Sequence, residues 1–296
     1  MRPPINTQFA KRVNRVGALR PLALAAAALL LARTGPAWPA TPSAPGASAP
    51  AVAPPTAQQY DQCLALARTD PQRAYDQATT WRDFGGGFPA DHCAAVALVG
   101  LKKYSEAALK LQGMAGAMMQ ADPGMRADAL EQAGNAWLLA SKPIEAKADF
   151  DAALSFKPDD PEILIDRAEA YALNGKFFDA IDDLNRVLDR SPKRVDALIY
   201  RASAYRQLGS LDLALDDATR ALTLDPNAVA GLLERGNIRR LKGDRAGAQS
   251  DWQRILQLAP TSPEAQAAKD NLKRLAEDTA APAARTVGPA KASAKP

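Results

Sequence analysis

The chain has 296 residues and a mass of 31.4 kDa, enough for one large domain or two ordinary ones. Apolar residues make up 47% of the sequence and the mean hydropathy is −0.25, which excludes a polytopic membrane protein. The single histidine and two cysteines are too few for the usual zinc site of three or four ligands, and we expect no metal or other cofactor. No nucleophile and base fall into a recognisable motif. We therefore assign no catalytic residue and do not expect an enzyme.

The net charge of +4 is unevenly distributed along the chain. Residues 1–37 carry six basic groups and no acid, and residues 279–296 carry three basic groups and no acid. The intervening residues 38–278 hold all 33 acidic residues and have a net charge of −5. A mildly acidic body lacks the basic surface of a nucleic-acid-binding protein, so we expect no nucleic-acid partner.

The N-terminus has the pattern of a secretory signal peptide. Basic residues precede an apolar run of eleven residues, Leu22 to Ala32. Eleven helical residues span roughly 16 Å, about half a bilayer core, so we expect no stable membrane anchor. A buried core helix is the alternative, but the proline-rich flank offers nothing for it to pack against. The sequence predicts a signal peptide over 1–37 and a periplasmic protein, with cleavage after Ala37 or after Ala49 left open.

Two further terminal segments are low in complexity. Residues 38–56 are rich in proline and alanine and carry no charge, which predicts a disordered linker. Residues 279–296 repeat this composition with added lysine and arginine, which predicts a disordered basic tail. The folded part is therefore expected over about 57–278.

An internal repeat of 34 residues dominates the middle of the chain. Prolines recur at this step, at Pro158, Pro192, Pro226 and Pro260. Three further sets keep the same step: Ala146, Ala180, Ala214 and Ala248; Leu130, Leu164, Leu198 and Leu232; and Leu154, Leu188, Leu222 and Leu256. This periodicity predicts four repeats, over 127–160, 161–194, 195–228 and 229–262.

Each repeat has the pattern of two helices. In 161–194, apolar residues follow helical spacing on both sides of Asn174-Gly175, a pair that tolerates the left-handed conformation at a helix end. Ser191-Pro192 is predicted to end the second helix, because proline disfavours helix at the residue before it. In 127–160, Pro143 is expected to start the second helix.

These residues resemble the tetratricopeptide repeat (TPR) family: the 34-residue period agrees, and so does the pattern Gly134, Trp137, Ala146, Phe150, Ala153 and Pro158. The resemblance implies an all-α fold, a right-handed α-solenoid of helix-turn-helix repeats. A weaker form of the pattern predicts two divergent units over 57–126. The amphipathic stretch 263–278 predicts the solubilising cap helix that a solenoid needs at its end.

In the TPR family, the first helix of each repeat lines a concave surface that binds peptides or proteins. Placed in phase on this chain, the peptide-binding groove would include Glu131, Asn135, Ile165, Glu169, Ile199, Ser203, Arg206, Leu233, Asn237 and Arg240. Apolar residues on such a face favour an extended peptide or a helix as ligand. The alternative is that Ile165, Ile199 and Leu233 are half-buried between neighbouring helices.

Two other features have structural explanations. The acid pairs Asp182-Asp183 and Asp216-Asp217 recur on second helices and are interpreted as solvated faces. Gly85-Gly86-Gly87 is interpreted as a helix stop, because neither a preceding strand nor a following Lys-Ser/Thr makes it a phosphate loop.

Cys63 and Cys93 are predicted to form a disulfide. An exported chain meets an oxidising environment, and the two cysteines form an even set. They fall in the first helices of consecutive divergent units, which pack side by side at about 8–10 Å between axes. The alternative is two buried, reduced cysteines.

Two functions remain open. The first is a non-catalytic protein-interaction scaffold of the bacterial periplasm, binding a protein or peptide of unknown identity. The second is an accessory subunit of an envelope enzyme complex, in cell-wall or outer-membrane assembly.

Overall fold

The computed structural model describes residues 57–284 and the side chains of residues 57–277. The signal peptide assigned to 1–37, the linker assigned to 38–56 and residues 285–296 of the tail lie outside the described residues. The remainder forms two compact units, residues 57–136 and 137–284, with the boundary inside one helix.

The described residues form helices joined by short turns. The N-terminal unit contains α1 (Ala57–Thr69), α2 (Pro71–Trp81), α3 (Gly87–Gly100), α4 (Tyr104–Ala117) and most of α5 (Pro123–Leu139). The C-terminal unit contains the end of α5 and α6 (Pro143–Phe156), α7 (Pro161–Leu173), α8 (Phe177–Arg190), α9 (Val195–Gln207), α10 (Leu211–Leu224), α11 (Val229–Leu241), α12 (Arg245–Leu258) and α13 (Pro263–Ala284). The all-α solenoid predicted from the sequence is confirmed.

Recurring backbone features separate the helices. Gly175, Gly209 and Gly243 lie 34 residues apart in the turns between first and second helices, with φ of 76°, 78° and 85°. Ser141 occupies the equivalent place in the preceding repeat with φ of 59°, although it has a side chain. At the start of α7, the Asp160 carboxylate accepts hydrogen bonds from the backbone N–H groups of the second and third helical residues. The chain therefore reverses direction where the sequence pattern predicts it.

Small residues set the distances between helices in the core. Ala168 on α7 and Ala180 on α8 are both 1% exposed. At Gly236 on α11, an added Cβ would lie 2.5 Å from Nε1 of Trp252, so only glycine fits against this indole. Trp252 is fully buried in the core of α10–α13, which explains the small residue opposite it.

The last helix is longer than the sequence predicts. α13 continues to Ala284, six residues beyond the expected end of the cap helix at Asp278. Four of these six residues are alanine, which has the highest helix propensity. The helix is attached to its unit by polar contacts as well as by Leu275: the Arg245 guanidinium donates to the Leu275 carbonyl over 2.8 Å.

The three glycines at 85–87 interrupt the chain between α2 and α3, as the sequence predicts. Gly85 has φ of 89° and Gly87 has φ of 55°, values that favour glycine. A Cβ at Gly86 would lie 2.7 Å from the Trp81 carbonyl and 2.8 Å from the Trp81 ring, so this glycine lets the indole approach the backbone. None of the helices in the described part of the chain combines the length and apolar character needed to cross a bilayer.

Candidate binding surface

The first helices of the C-terminal unit, α7, α9, α11 and α13, expose a mixed set of side chains that we call the first-helix surface. Ile165 and Ile199 are 0% and 6% exposed and therefore belong to the core of the unit. Glu169 is also buried, at 2% exposure. Four of the other predicted groove residues are half-buried: Ser203, Arg206, Leu233 and Asn237. Arg240 is exposed. The two isoleucines thus follow the packing alternative and are covered too well to contact a ligand.

Hydrogen bonds connect each first helix to the next. The Tyr200 hydroxyl on α9 donates to Glu169 on α7 over 3.0 Å. The side-chain amide of Asn271 on α13 donates to Oδ1 of Asn237 on α11 over 2.9 Å. Between them, Arg206 on α9 donates to Glu234 on α11. These contacts hold the four helices at fixed distances and reduce the rearrangement that ligand binding would require.

Arg206 has a different role from the one its sequence position suggests. Its Nε and Nη2 donate to the two oxygens of Glu234 over 2.5 and 3.3 Å, and Nη2 also lies 3.4 Å from Ser203 Oγ. The Arg206 and Glu234 side chains are only 13% and 10% exposed. Arg206 is therefore a structural cation between two helices, and its reversal to glutamate would bring two carboxylates together.

Four residues of the first-helix surface keep the capacity to contact a ligand. The Ser203 hydroxyl accepts from Arg206 and can still donate its proton. The Asn237 carbonyl oxygen accepts from Asn271, which leaves its own NH₂ group to donate. Leu233 supplies half-exposed apolar area and Arg240 supplies an exposed cation.

The two remaining predicted groove residues lie in the N-terminal unit. Glu131 and Asn135 are half-buried on α5, four residues apart and therefore on one face of that helix. Their assignment to a peptide-binding groove stays a prediction, as does that of Ser203, Leu233, Asn237 and Arg240 on the first-helix surface.

Buried arginine–aspartate pairs connect the two helices within each of three repeats. Asp183 and Asp217, predicted to be solvated, are only 3% and 2% exposed, and that interpretation is wrong for both. In three repeats an aspartate accepts two hydrogen bonds from the arginine sixteen residues earlier: Asp183 from Arg167 over 2.8 and 2.7 Å, Asp217 from Arg201 over 2.7 and 2.8 Å, and Asp251 from Arg235 over 2.9 and 2.6 Å.

Burial does not neutralise the arginines of two of these pairs. The hydrogen bonds that Arg167 and Arg201 donate to their partner aspartates raise the pKa of both above the already high value for arginine, against the opposing effect of burial. Nη1 of each of these two guanidiniums donates to a further acceptor on the second helix of the preceding repeat, Asp151 for Arg167 and Asn185 for Arg201. In all three pairs both carboxylate oxygens accept a hydrogen bond from the guanidinium, which lowers the penalty for burying the charges.

In the N-terminal unit, Cys63 on α1 and Cys93 on α3 form the predicted disulfide, with Cα atoms 6.1 Å apart. Beside it, the buried His92 ring accepts from Tyr60 at Nδ1 over 2.6 Å and donates from Nε2 to Gln132 over 2.7 Å. Both contacts suit the neutral imidazole. Burial lowers the pKa of His92, and it raises the pKa of Tyr60 to about 12.

The N-terminal unit also contains a cavity of about 580 Å³ between α1 and α2. Its walls combine amide, hydroxyl, charged and aromatic side chains: Gln59, Gln62, Cys63, Arg73, Asp76, Gln77, Thr80, Trp81 and Phe84. The sequence did not single out this cavity, because its residues lie in the units where the repeat pattern is weakest.

Comparison with known families agrees with this architecture. The family model for the tetratricopeptide repeat matches residues 140–194 and, in an overlapping match, residues 165–229. The chain is a TPR protein. The matched residues cover α6 to α10 and the start of α11, the part in which the 34-residue step is clearest.

Solved structures of other TPR proteins have the same fold. A tetratricopeptide repeat protein from Parabacteroides merdae ATCC 43184 has a TM-score of 0.55 and 20% sequence identity, over 68% of this chain and 77% of that chain. MamA from Desulfovibrio magneticus RS-1 has a TM-score of 0.51 and 18% identity, over 60% of this chain and 98% of that chain. At these identities the likeness shows the fold alone. Among curated protein sequences, no match to this TPR protein is found.

The arginine–aspartate pairs of this TPR protein had a signal in the sequence. Arg167, Arg201 and Arg235 recur at the 34-residue step, and so do Asp183, Asp217 and Asp251. Two charges of opposite sign that keep a constant spacing through three repeats indicate contact between the two helices of each repeat.

Proposed function

We propose that this TPR protein is a non-catalytic protein-interaction scaffold of the bacterial periplasm that binds a polypeptide segment on the first-helix surface. The observation that carries the proposal is the series of hydrogen bonds connecting α7, α9, α11 and α13. It gives a surface fixed in shape before a ligand arrives.

The side chains available on that surface suit a polypeptide main chain. A hydroxyl donor, an amide donor and a guanidinium, at Ser203, Asn237 and Arg240, can bind backbone carbonyls or an acidic side chain. Leu233 lies four residues before Asn237 on the same face of α11 and can make apolar contact with a side chain of the bound polypeptide. The mixture of polar and apolar groups is typical of peptide-recognition surfaces.

Two features support the periplasmic location. The basic and apolar pattern of residues 1–37 is that of a signal peptide. The Cys63–Cys93 disulfide is of a kind that persists in oxidising compartments and is rare in the cytosol. N-terminal sequencing of the protein from a periplasmic fraction tests this part: a chain that starts between about residues 33 and 50 supports export, and a cytosolic chain that retains Met1 contradicts it.

The binding proposal is tested by selecting peptides from a displayed random library on the purified full-length protein and measuring their dissociation constants. Because the exposed Arg240 side chain is not part of the hydrogen-bond series that holds the helices together, Arg240→Glu should weaken the selected peptides at least tenfold without altering the shape of the surface. Lys193→Glu is the matched control, a charge reversal in the exposed turn between α8 and α9. Equal losses in both variants, or no loss in either, would remove the first-helix surface as the binding site.

A further inference from the structure

The cavity of the N-terminal unit is built on one face of α2. Its lining residues on this helix recur at three- and four-residue spacing, from Arg73 through Asp76, Gln77 and Thr80 to Trp81. The opposite stripe of α2, Ala74 and Ala78, is fully buried. The helix therefore turns its small residues to the core and its long polar and aromatic side chains to the cavity.

The wall across from α2 comes from α1. Gln59, Gln62 and Cys63 line it, and Cys63 is joined to α3 by the disulfide. The lining also includes Phe84, which is 63% exposed in spite of its apolar ring. Trp81 and Phe84 therefore give the cavity two aromatic rings.

The chemistry of this cavity favours an uncharged, main-chain-rich ligand. The single cation and single anion of the lining, Arg73 and Asp76, cancel each other. Of the remaining polar groups, the Thr80 hydroxyl donates to the Asp76 carbonyl of its own helix, whereas the Gln62 and Gln77 amides can donate hydrogen bonds to carbonyl oxygens of a ligand. Aromatic rings combined with such donors form the surface on which polyproline II segments dock, because these segments have no internal hydrogen bonds and present free carbonyls.

The sequence immediately before α1 contains a ligand of this kind. Pro36, Pro39, Pro42 and Pro45 are spaced three residues apart. A polyproline II helix has three residues per turn, so this spacing places the prolines on one face of such a helix. Residues 36–55 carry no charge, as the cancelled charges of the cavity require.

We propose that the cavity between α1 and α2 is a binding site for a proline-rich segment, and that its occupant is residues 38–45 of the same chain. Trp81 and Phe84 contact the prolines, and the amides of Gln62 on α1 and Gln77 on α2 donate to the carbonyl oxygens of the segment. The site is separate from the first-helix surface and does not depend on it.

The lengths agree with this assignment. From Arg73 to Trp81, α2 rises about 12 Å, which equals four residues of polyproline II helix at about 3.1 Å each and accommodates two of the prolines. Eleven residues lie between Pro45 and Ala57 and can extend the chain by roughly 40 Å, enough to return along α1. A tethered segment has an effective concentration in the millimolar range, so even a weak site is occupied.

The test uses the full-length protein, with its intact mass measured, and a fluorescein-labelled synthetic peptide of residues 36–49. The receptor is the triple variant Pro39→Ser/Pro42→Ser/Pro45→Ser, which keeps the length of the segment but removes its prolines. Fluorescence anisotropy should show that the peptide binds this variant at least tenfold more tightly than the unmodified chain, whose own segment occupies the site.

Matched variants distinguish the proposed contact from nonspecific binding of the peptide. Phe84→Ser added to the triple variant should weaken the peptide at least tenfold, whereas Phe178→Ser, at a phenylalanine 72% exposed on α8, should not. Gln77→Glu, which removes one exposed amide donor on α2, should weaken the peptide without affecting folding. A peptide of equal composition with its prolines moved off the three-residue step should bind at least tenfold more weakly.

Several results would overturn the proposal. These are equal binding of the two peptides, equal effects of Phe84→Ser and Phe178→Ser, and equal affinity of the triple variant and the unmodified chain. A dimer of the unmodified chain that the triple variant does not form would assign the segment to a second copy. A mature protein whose mass places its start at Pro50 would remove the occupant altogether.

Discussion

Replacing Asp217 with alanine removes the acceptor of two hydrogen bonds from Arg201 and leaves that guanidinium in a largely buried position. The Arg201 side chain is 17% exposed and Asp217 is 4% exposed. Arg201 retains its 2.7 Å hydrogen bond to Asn185. The guanidinium is therefore partly satisfied in the variant, but it has lost its counter-charge.

Breaking a buried pair by removing one partner costs about 3–5 kcal/mol, and the retained contact and partial exposure place Asp217→Ala near about 3 kcal/mol. Replacing both partners, as Arg201→Leu/Asp217→Leu, removes the uncompensated charge and should stay within about 1 kcal/mol of the unmodified protein. The exposed pair of Lys147 and Asp151, each 39% exposed, provides the control: Lys147→Ala should cost less than about 1 kcal/mol.

Urea unfolding followed by far-UV circular dichroism measures these free energies. Because helical repeats can lose two-state behaviour, amide hydrogen exchange in α9 and α10 should be measured beside it. The reasoning is refuted if Asp217→Ala lowers the free energy of unfolding no more than Lys147→Ala does. It is also refuted if Arg201→Leu/Asp217→Leu lowers the free energy of unfolding by the sum of the losses measured for Arg201→Leu and Asp217→Leu alone.

Three other changes test the structure at separate places. Replacing Cys63 and Cys93 by alanine should lower the free energy of unfolding by about 3–4 kcal/mol, since the loop closed by the disulfide spans thirty residues; urea titration checks this, and dithiothreitol should abolish the difference from the unmodified protein. Because the pKa of His92 is lowered in the folded protein, the unfolded chain binds more protons below about pH 6.5, so stability should fall on acidification by up to about 1.4 kcal/mol per pH unit. Thermal melts from pH 7.5 to 5.5 measure this fall, and a flat profile would contradict the neutral His92. Gly175→Ala should lower the free energy of unfolding by about 1–2 kcal/mol because φ is 76° at this residue. Gly113→Ala, inside α4 with open space around it, should instead raise the free energy of unfolding by up to about 1 kcal/mol. If both variants changed stability in the same direction, backbone conformation would not be the cause.

The 34-residue period predicted the helices and their turns well, because it reports directly on which residues pack. Pro143 begins α6, and Gly175 adopts the left-handed conformation between α7 and α8, both as the sequence indicates. The Cys63–Cys93 bond also followed from helix order, since first helices of neighbouring units lie side by side.

The exposed fraction of each side chain on the first-helix surface could not be predicted from the 34-residue period. Phase places Ile165 and Leu233 at equivalent positions, yet Ile165 is fully buried and Leu233 is half-exposed. The difference depends on the neighbouring helix, which a residue's own position in its repeat does not specify. Likewise, phase alone assigns Arg206 to the groove, and it does not reveal the partner Glu234, which lies in another repeat 28 residues away.

The covalent link between α1 and α3 also affects how the protein is degraded. Helical repeats open most easily at their ends, where each helix has a neighbour on one side only. At the N-terminal end the disulfide encloses α2 and holds α1 in place, so that end cannot fray while the bond is intact. α13, by contrast, is held by side-chain packing and hydrogen bonds that open reversibly. We therefore expect proteases to enter at α13 and digest the chain towards α1, and reduction of the disulfide to open a second entry point.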